Sequence, residues 1–260
     1  MKISNKLVFF LLFFLVMQEN ILAQSDFVLD DNIAIAKGST YNTAANVPYL
    51  TPREKKMIGE VNLLRGNPKQ YILYVEENIR LLQLGKKTMG GYTINIIKTQ
   101  RKGGAWTEKR DTVYDKTTYD KTSIDTKKVA AARELIAELK KIKSLSLLQP
   151  QECLCKAAKQ QGIVCKQRGR LGHEGAGGAM PWDRLPKACP QLPNGAENLG
   201  AGAQSMRQAM LNLLIDERIP DRGHRKNLLN PATKYIGVYD ILGGIADMPN
   251  NAWVQNFGWQ

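Results

Sequence analysis

The chain has 260 residues, a formal net charge of +13 and 43% hydrophobic residues. This length and apolar content support a full hydrophobic core and exclude both a wholly disordered chain and a polytopic membrane protein. The two histidines exclude any site that needs three or more imidazoles. We expect one domain with additional segments.

Segment 1–23 has the features of a secretory signal peptide. Lys2 and Lys6 precede an apolar run over 7–17, and Ala23 provides a small residue for cleavage. The run is too short for a membrane span, which needs about 20 residues. No later stretch could cross a bilayer, so we expect a secreted or extracellular protein, retained at most in the periplasm or at the cell surface, with no transmembrane segment in the mature chain.

Residues 24–50 form an irregular lead-in, and the folded domain is predicted over 51–260. Its first helix begins at a capping box in which Thr51 is the N-cap, Pro52 the first helical residue and Glu54 the returning acid. A second helix follows the Asn-Pro pair after this helix.

The stretch 85–127 is rich in Gly, Lys and Thr and predicts an inserted loop and β-ribbon, with a strand at 93–97. From Lys86 to Lys143, 15 Lys or Arg stand against 7 Asp or Glu. A solvated basic face explains this charge, and the alternative is adhesion to an anionic polymer or membrane surface. The stretch has no nucleic-acid-binding motif, so nucleic acid is not an expected partner.

The second half of the chain mixes helices and strands. The remaining predicted elements are helices over 129–142, from Pro150 and after the cap Ser205, a glycine-rich loop over 169–202, and strands over 235–239 and 253–257. The methionine and leucine stripe that follows Ser205 indicates a core helix rather than a cofactor surface.

Four cysteines permit three full pairings. Cys153 and Cys155 point to different faces of one predicted helix, and about 15 Å of helix separates Cys155 from Cys165. Because a disulfide needs Cα atoms within about 7 Å, at most one intrachain bridge forms, with Cys189 as one partner. We predict Cys165–Cys189, since this bridge closes the loop that carries His173.

Both histidines, His173 and His224, lie in polar, glycine-flanked loops. Two acids are candidate partners, Glu197 in a glycine-flanked turn and Asp216 at the end of a helix. Two imidazoles and two carboxylates can bind a divalent ion such as Zn²⁺ with an open position, or form an acid/base set. Spacing alone selects neither, and no phosphate loop or nucleophile motif is present, so no organic cofactor is expected.

Five motifs, taken in chain order, resemble those of the bacterial CAP superfamily (cysteine-rich secretory proteins, antigen 5 and pathogenesis-related 1, also called SCP-like). They are Glu60–Pro68 for the opening helix, Gly172–Gly175 for the first His motif, Ala196–Leu199 for the Gly-Glu-Asn motif, Leu214–Asp216 with Pro220–Leu229 for the second His motif, and Trp253–Phe257 for the closing strand. The resemblance covers about 52–82 and 145–257, and the insertion lies between.

The resemblance implies an α+β fold, a three-layer α-β-α sandwich of the CAP type with a basic insertion. It also implies that His173, Glu197, Asp216 and His224 converge in a central cleft, where the two His would bind metal and the two acids would orient them or act through water. Asp216 is one methylene shorter than the Glu of the animal pattern, so a water can lie between it and a metal.

The resemblance does not define one reaction, and three functions follow from it. The first is a secreted binding protein for an unidentified lipid, polymer or protein ligand, with a His/acid cleft able to bind a divalent metal. The second is a metal-dependent or acid/base hydrolase that uses the same four side chains as catalytic candidates. The third is an adhesion protein that acts through its basic insertion.

Overall fold

The computed structural model describes residues 38–84, 86–88, 92–100, 106–114, 118–203, 205–249 and 251–260. The predicted signal peptide 1–23 and the first part of the lead-in lie outside these residues. Side chains of the insertion are also outside them over 86–120, so its predicted basic surface stays a prediction. Within the described residues, no helix is both long enough and apolar enough to span a membrane.

The described residues form seven α-helices and eight β-strands. The helices are α1 (Pro52–Gly66), α2 (Pro68–Leu84), α3 (Thr126–Leu139), α4 (Glu152–Arg168), α5 (Pro181–Ala188), α6 (Met206–Ile215) and α7 (Gly223–Leu229). The strands are β1 (Lys86–Thr88), β2 (Tyr92–Gln100), β3 (Trp106–Tyr114), β4 (Thr118–Asp120), β5 (Gln149–Pro150), β6 (Asn194–Ala201), β7 (Tyr235–Ile241) and β8 (Ala252–Trp259).

The central sheet has four strands in the order β5-β7-β8-β6. The short β5 pairs with β7 in parallel, and the other two pairings are antiparallel. In the insertion, β1 pairs with β4 and β2 pairs with β3, both antiparallel. The predicted strand at 93–97 lies within β2, so the β-ribbon expected there is confirmed.

Side chains on β8 alternate between two helical layers. Trp253 and Phe257 pack into the large core that includes α1, α2, α3 and α6, whereas Val254 packs with Ala158 and Cys165 of α4. Helix α5 and the first half of α4 cover the same face as Val254 through a third apolar cluster. The sheet therefore lies between two helical layers, which confirms the predicted α-β-α sandwich.

The first helix of the domain begins at the capping box that the sequence predicted. Thr51 Oγ1 accepts a hydrogen bond from the Glu54 N–H, and Glu54 Oε2 accepts from the Thr51 N–H at 2.8 Å. Pro52 occupies the first turn, where its missing N–H costs nothing. This capping box fixes where α1 begins. The buried residues of α1 then pack in the large core.

Several elements differ from prediction. The predicted loop over 169–202 contains helix α5 as well as strand β6, helix α7 was not predicted, and the helix predicted over 129–142 begins and ends three residues earlier. Pro150 ends the short strand β5 rather than beginning a helix, because the N–H groups of Gln149 and Gln151 bond to the carbonyls of β7 and its preceding residue. Residues 194–201 form strand β6 rather than a loop. The glycines there indicate close packing rather than turns: an ideal Cβ on Gly200 would lie 2.4 Å from the Trp253 ring.

The disulfide joins Cys153 to Cys189, with 5.6 Å between their Cα atoms. The prediction of one bridge that includes Cys189 is confirmed, and the predicted Cys165–Cys189 pairing is wrong. Helix α5 ends at the first turn of α4, where Cys153 lies, whereas Cys165 is about 18 Å further along α4. Cys155 and Cys165 are free and buried.

Candidate functional site

The first imidazole–carboxylate pair joins His173, in the loop after α4, to Glu197 on β6. His173 Nδ1 lies 2.9 Å from Glu197 Oε1. Because an ionised carboxylate can only accept, Nδ1 carries the proton and the Nε2 lone pair remains. The Glu197 side chain is fully buried, while 41% of the His173 side chain is exposed. The pair therefore presents one oriented imidazole to solvent.

The buried charge of Glu197 is balanced by Arg184 of α5. Arg184 Nη2 donates to Glu197 Oε2, the oxygen that His173 does not use. An uncompensated carboxylate at this depth would be strongly unfavourable, and the guanidinium provides both charge and a hydrogen bond. Glu197 thus has both oxygens engaged by protein groups.

The loop that carries His173 is fixed to α4 on both sides of the imidazole. Gln161 Nε2 donates to the carbonyl oxygens of Gly172 and Glu174. Arg168 Nη1 also donates to the Glu174 carbonyl at 2.7 Å. A carbonyl that precedes the histidine and one that follows it are therefore held by the same helix, which limits how far the ring can move.

An open cavity of about 320 Å³ adjoins His173. Its other lining residues are Cys165, Arg168, Arg170, Leu171, Gly172, Glu174 and Met180. This cavity gives a ligand access to the exposed edge of the imidazole.

The second pair joins Asp216 to His224. Asp216 Oδ1 lies 2.8 Å from His224 Nδ1, and Oδ2 accepts the His224 backbone N–H at 3.1 Å. The carboxylate therefore orients the ring and also caps the N-terminal turn of α7. As in the first pair, Nδ1 is used and the Nε2 lone pair remains.

Asp216 and Arg222 are the two non-glycine residues with positive φ in the described chain, at 51° and 55°. Asp216 ends α6, and Arg222 precedes α7. Arg222 Nη1 donates to the Asp216 carbonyl at 2.7 Å, and its guanidinium bonds to Glu134 of α3 at 3.0 and 3.2 Å. This bond from Arg222 lowers the pKa of Glu134. The positive φ angles of this loop cost free energy, and the bonds from Arg222 to Glu134 on α3 help to keep the loop in this conformation.

Two asparagines connect the pairs. Asn198, next to Glu197 on β6, donates through Nδ2 to the His224 carbonyl at 3.2 Å. Asn227, one turn after His224, donates to Asn198 Oδ1 at 2.8 Å and to the Glu197 carbonyl at 3.3 Å. The strand that carries one acid is therefore bonded directly to the helix that carries the other imidazole.

The structure brings the four predicted side chains into two pairs, His173 with Glu197 and Asp216 with His224, which the two asparagines connect. Within the described chain, no group of three or more His, Cys, Asp or Glu is placed to hold a metal ion. Sequence reasoning missed the roles of Arg184, Gln161, Asn198 and Asn227. Both asparagines lie inside the resembling motifs, which is a usable signal. Gln161 lies in an ordinary helical pattern, and Arg184 lies in the stretch that was predicted as a glycine-rich loop.

The donor chemistry fits the metal that the resemblance implies. Each imidazole turns Nδ1 to a carboxylate and keeps Nε2 as a ligand atom, which is how metal-binding histidines are commonly oriented. In the described residues, neither Nε2 atom has a hydrogen-bond partner. His173 and His224 would hold the ion, and Glu197 and Asp216 would orient them.

Comparisons with known proteins place the chain in a family. The profile of the cysteine-rich secretory protein family (CAP) matches residues 128–257. The uncharacterized protein YkwD of Bacillus subtilis (strain 168) is 26% identical over 133 residues, which are 50% of this chain and 48% of YkwD, so the chain spans about half the length of that relative.

Two solved structures are similar over part of the chain. An outer surface protein from Borrelia burgdorferi is 24% identical with a TM-score of 0.38, over 51% of this chain and 91% of that protein. An extracellular protein containing a SCP domain from Bacillus anthracis str. Ames is 22% identical with a TM-score of 0.35, over 58% and 47%. The family profile covers half of the sequence, and the chain therefore belongs to the cysteine-rich secretory protein (CAP) family.

Proposed function

We propose that this chain is an exported binding protein whose His173 and His224 imidazoles hold a divalent cation, with Zn²⁺ as the first choice. The observation that carries the proposal is the shared orientation of the two rings, each with Nδ1 on a buried carboxylate and Nε2 left for a ligand. Neutral imidazole is a preferred Zn²⁺ ligand, and the carboxylate raises its basicity.

Binding is favoured over hydrolysis because both acids are already engaged. Glu197 accepts from His173 with one oxygen and from Arg184 with the other. Asp216 uses one oxygen on the His224 ring and the other on its backbone N–H. A general base needs a carboxylate oxygen or imidazole nitrogen within reach of the water it activates. These two carboxylates support the imidazoles instead.

Export rests on the predicted signal peptide 1–23 and on the Cys153–Cys189 bridge, since disulfides persist in oxidising compartments. Expression of the full chain in a secreting bacterial host, followed by N-terminal sequencing of the exported protein, is expected to give a first residue of Gln24. An intact Met1 end on protein retained in the cytoplasm would contradict this part of the proposal.

Calorimetric titration with Zn²⁺ tests the cation site. The wild type should bind saturably at pH 7.5 and more weakly at pH 5.5, because an imidazole nitrogen must be deprotonated to bind a metal and protons compete for it at low pH. The His173→Ala/His224→Ala double variant should lose this binding. Glu152→Gln, a change at an exposed acid on α4, is the matched control and should bind as the wild type does. Equal binding by the double variant, or none by the wild type, would overturn the proposal.

A further inference from the structure

A second cavity, of about 460 Å³, lies between α4 and the loop over 175–179. It shares no lining residue with the cavity against His173. Its apolar wall consists of Ala157, Ile163 and Val164 from α4 and of Ala176 and Ala179 from the loop. Its volume falls in the range of small-molecule sites.

Gln161 provides a fixed and unpaired acceptor beside this cavity. The residue is 2% exposed, and its Nε2 donates to the carbonyls of Gly172 and Glu174, so the orientation of the amide is set. Its Oε1 has no hydrogen-bond partner in the part of the chain that the structure describes. Buried polar atoms are nearly always paired, so an orphaned acceptor that lines a cavity indicates a missing donor.

Arg184 provides unpaired donors at the same place. Nη2 is used by Glu197, while Nε and Nη1 are buried and have no partner among the described residues. An ideal Cβ on Gly175 would lie 3.3 Å from Gln161 Oε1 and 3.2 Å from Arg184 Cδ, so the two side chains converge on one point of the cavity wall.

The charge balance selects a neutral ligand, because Glu197 already compensates the Arg184 guanidinium. The ligand group must then offer one acceptor, one donor and a small apolar part, which describes a secondary amide with a methyl group. We propose that this cavity binds the N-acetyl group of a neutral ligand. Its carbonyl accepts from Arg184, its N–H donates to Gln161 Oε1, and its methyl packs against the alanines.

Saturation-transfer NMR on the full protein tests this with three probes. These are N-acetylglucosamine, N-acetyl-L-alanine N-methylamide and, as the control without an acetamido group, glucose. We expect saturable binding of at least one acetylated probe, strongest at its acetyl methyl, and none of glucose. The two acetylated probes distinguish an amino-sugar from a peptide source. Absence of binding up to about 10 mM, ten times a dissociation constant of about 1 mM, or equal binding of glucose, would overturn the proposal.

A glycine variant and a control on α4 tie the binding to this cavity. The φ of Gly175 is −84°, which alanine adopts freely, and the Cβ of Gly175→Ala would occupy the space between Gln161 and Arg184. We expect at least tenfold weaker binding. Lys159→Gln is the control, because Lys159 is exposed on α4 and does not line this cavity.

Should Gly175→Ala fail to fold by circular dichroism, Ile163→Lys serves instead. Ile163 is 43% exposed, so its replacement alters the apolar wall without emptying the core. Weaker binding of the acetylated probe by this variant supports the cavity. Wild-type binding by Gly175→Ala, or by Ile163→Lys in its place, would contradict the proposal.

Discussion

The Asn198 side-chain amide donates a 3.2 Å hydrogen bond to the carbonyl oxygen of His224, and so joins the central sheet to the helix that carries an imidazole. Asn198 is fully buried, and its own oxygen accepts from Asn227. These bonds set the position of α7 against β6. Because the asparagine side chains bond to the backbone carbonyls of His224 and Glu197, they fix the distance between the elements that carry the two imidazole–carboxylate pairs.

Replacing Asn227 by alanine should destabilise this connection. The change leaves the buried Asn198 Oδ1 without its donor, so we expect a loss of about 1–3 kcal/mol in the free energy of unfolding. Urea denaturation followed by circular dichroism measures it. Lys226→Ala, at the exposed preceding position, should stay within about 0.5 kcal/mol of the wild type. Equal effects of the two substitutions would show that Asn227 does not connect the elements.

Two substitutions of Asp216 distinguish its contribution to the loop backbone from its hydrogen bond to the His224 imidazole. Asp216→Ala places alanine at φ 51° and removes the acceptor for the His224 N–H, so we expect a loss of about 2–3 kcal/mol in stability. Asp216→Asn keeps a residue that tolerates this conformation and can still cap, so it should lose less than half as much.

The same asparagine variant should still bind Zn²⁺ about 10–100-fold more weakly, because a neutral amide does not raise the basicity of the imidazole as a carboxylate does. Urea denaturation and Zn²⁺ calorimetry measure the two effects. Asp221→Ala, at an exposed residue of the same loop, is the control and should change neither. A stable variant with unchanged Zn²⁺ affinity would place the ion elsewhere.

Local sequence signals predicted the elements whose causes are local. The capping box at Thr51 needs only residues three apart, and the strands β7 and β8 were visible as short apolar runs after Pro231. Strand β6 was missed because glycines such as Gly200, which fits against Trp253, are typical of turns when the partner strand is unknown. Propensity cannot distinguish a glycine selected for close packing from one selected for a turn.

The site shows the same division between local and distant causes. The four His and acid residues were found through motifs, and their pairing into two dyads follows from packing. Arg184 lies on α5, within the stretch predicted as a glycine-rich loop, and it reaches Glu197 because α5 packs on β6. The Cys153–Cys189 bridge likewise depends on the direction in which α5 returns to α4, which sequence separation does not reveal.

Glu134 should contribute stability that depends on pH. The hydrogen bond from Arg222 holds the pKa of Glu134 below its usual 4.5 in the folded state. Its contribution is therefore present above about pH 4.5 and is lost as the pH falls through the lower folded value. Glu134→Gln should lower the urea midpoint at pH 7, slightly because this side chain is half exposed, and the difference from the wild type should shrink at pH 3.

Glu76→Gln, at an exposed acid of α2, provides the comparison for Glu134→Gln. It should leave the urea midpoint unchanged at both pH values. A deficit of Glu134→Gln that persisted undiminished at pH 3 would show that the loss is one of packing rather than of the charged hydrogen bond to Arg222.

The free cysteines should resist alkylation in the folded protein while the disulfide maps to Cys153 and Cys189. Burial raises the pKa of the Cys155 thiol to about 11, so about one molecule in a thousand carries its thiolate at pH 8. Cys165 lines the cavity beside His173, but only 1% of the residue is exposed, so the reagent reaches its sulfur poorly. Iodoacetamide should therefore modify neither thiol until urea unfolds the chain, and then both.

Peptide mapping by mass spectrometry identifies the adducts and the disulfide bridge in one experiment. A native adduct on either thiol would contradict its burial in the core. A peptide that links Cys165 to Cys189 would contradict the packing of α5 against the first turn of α4.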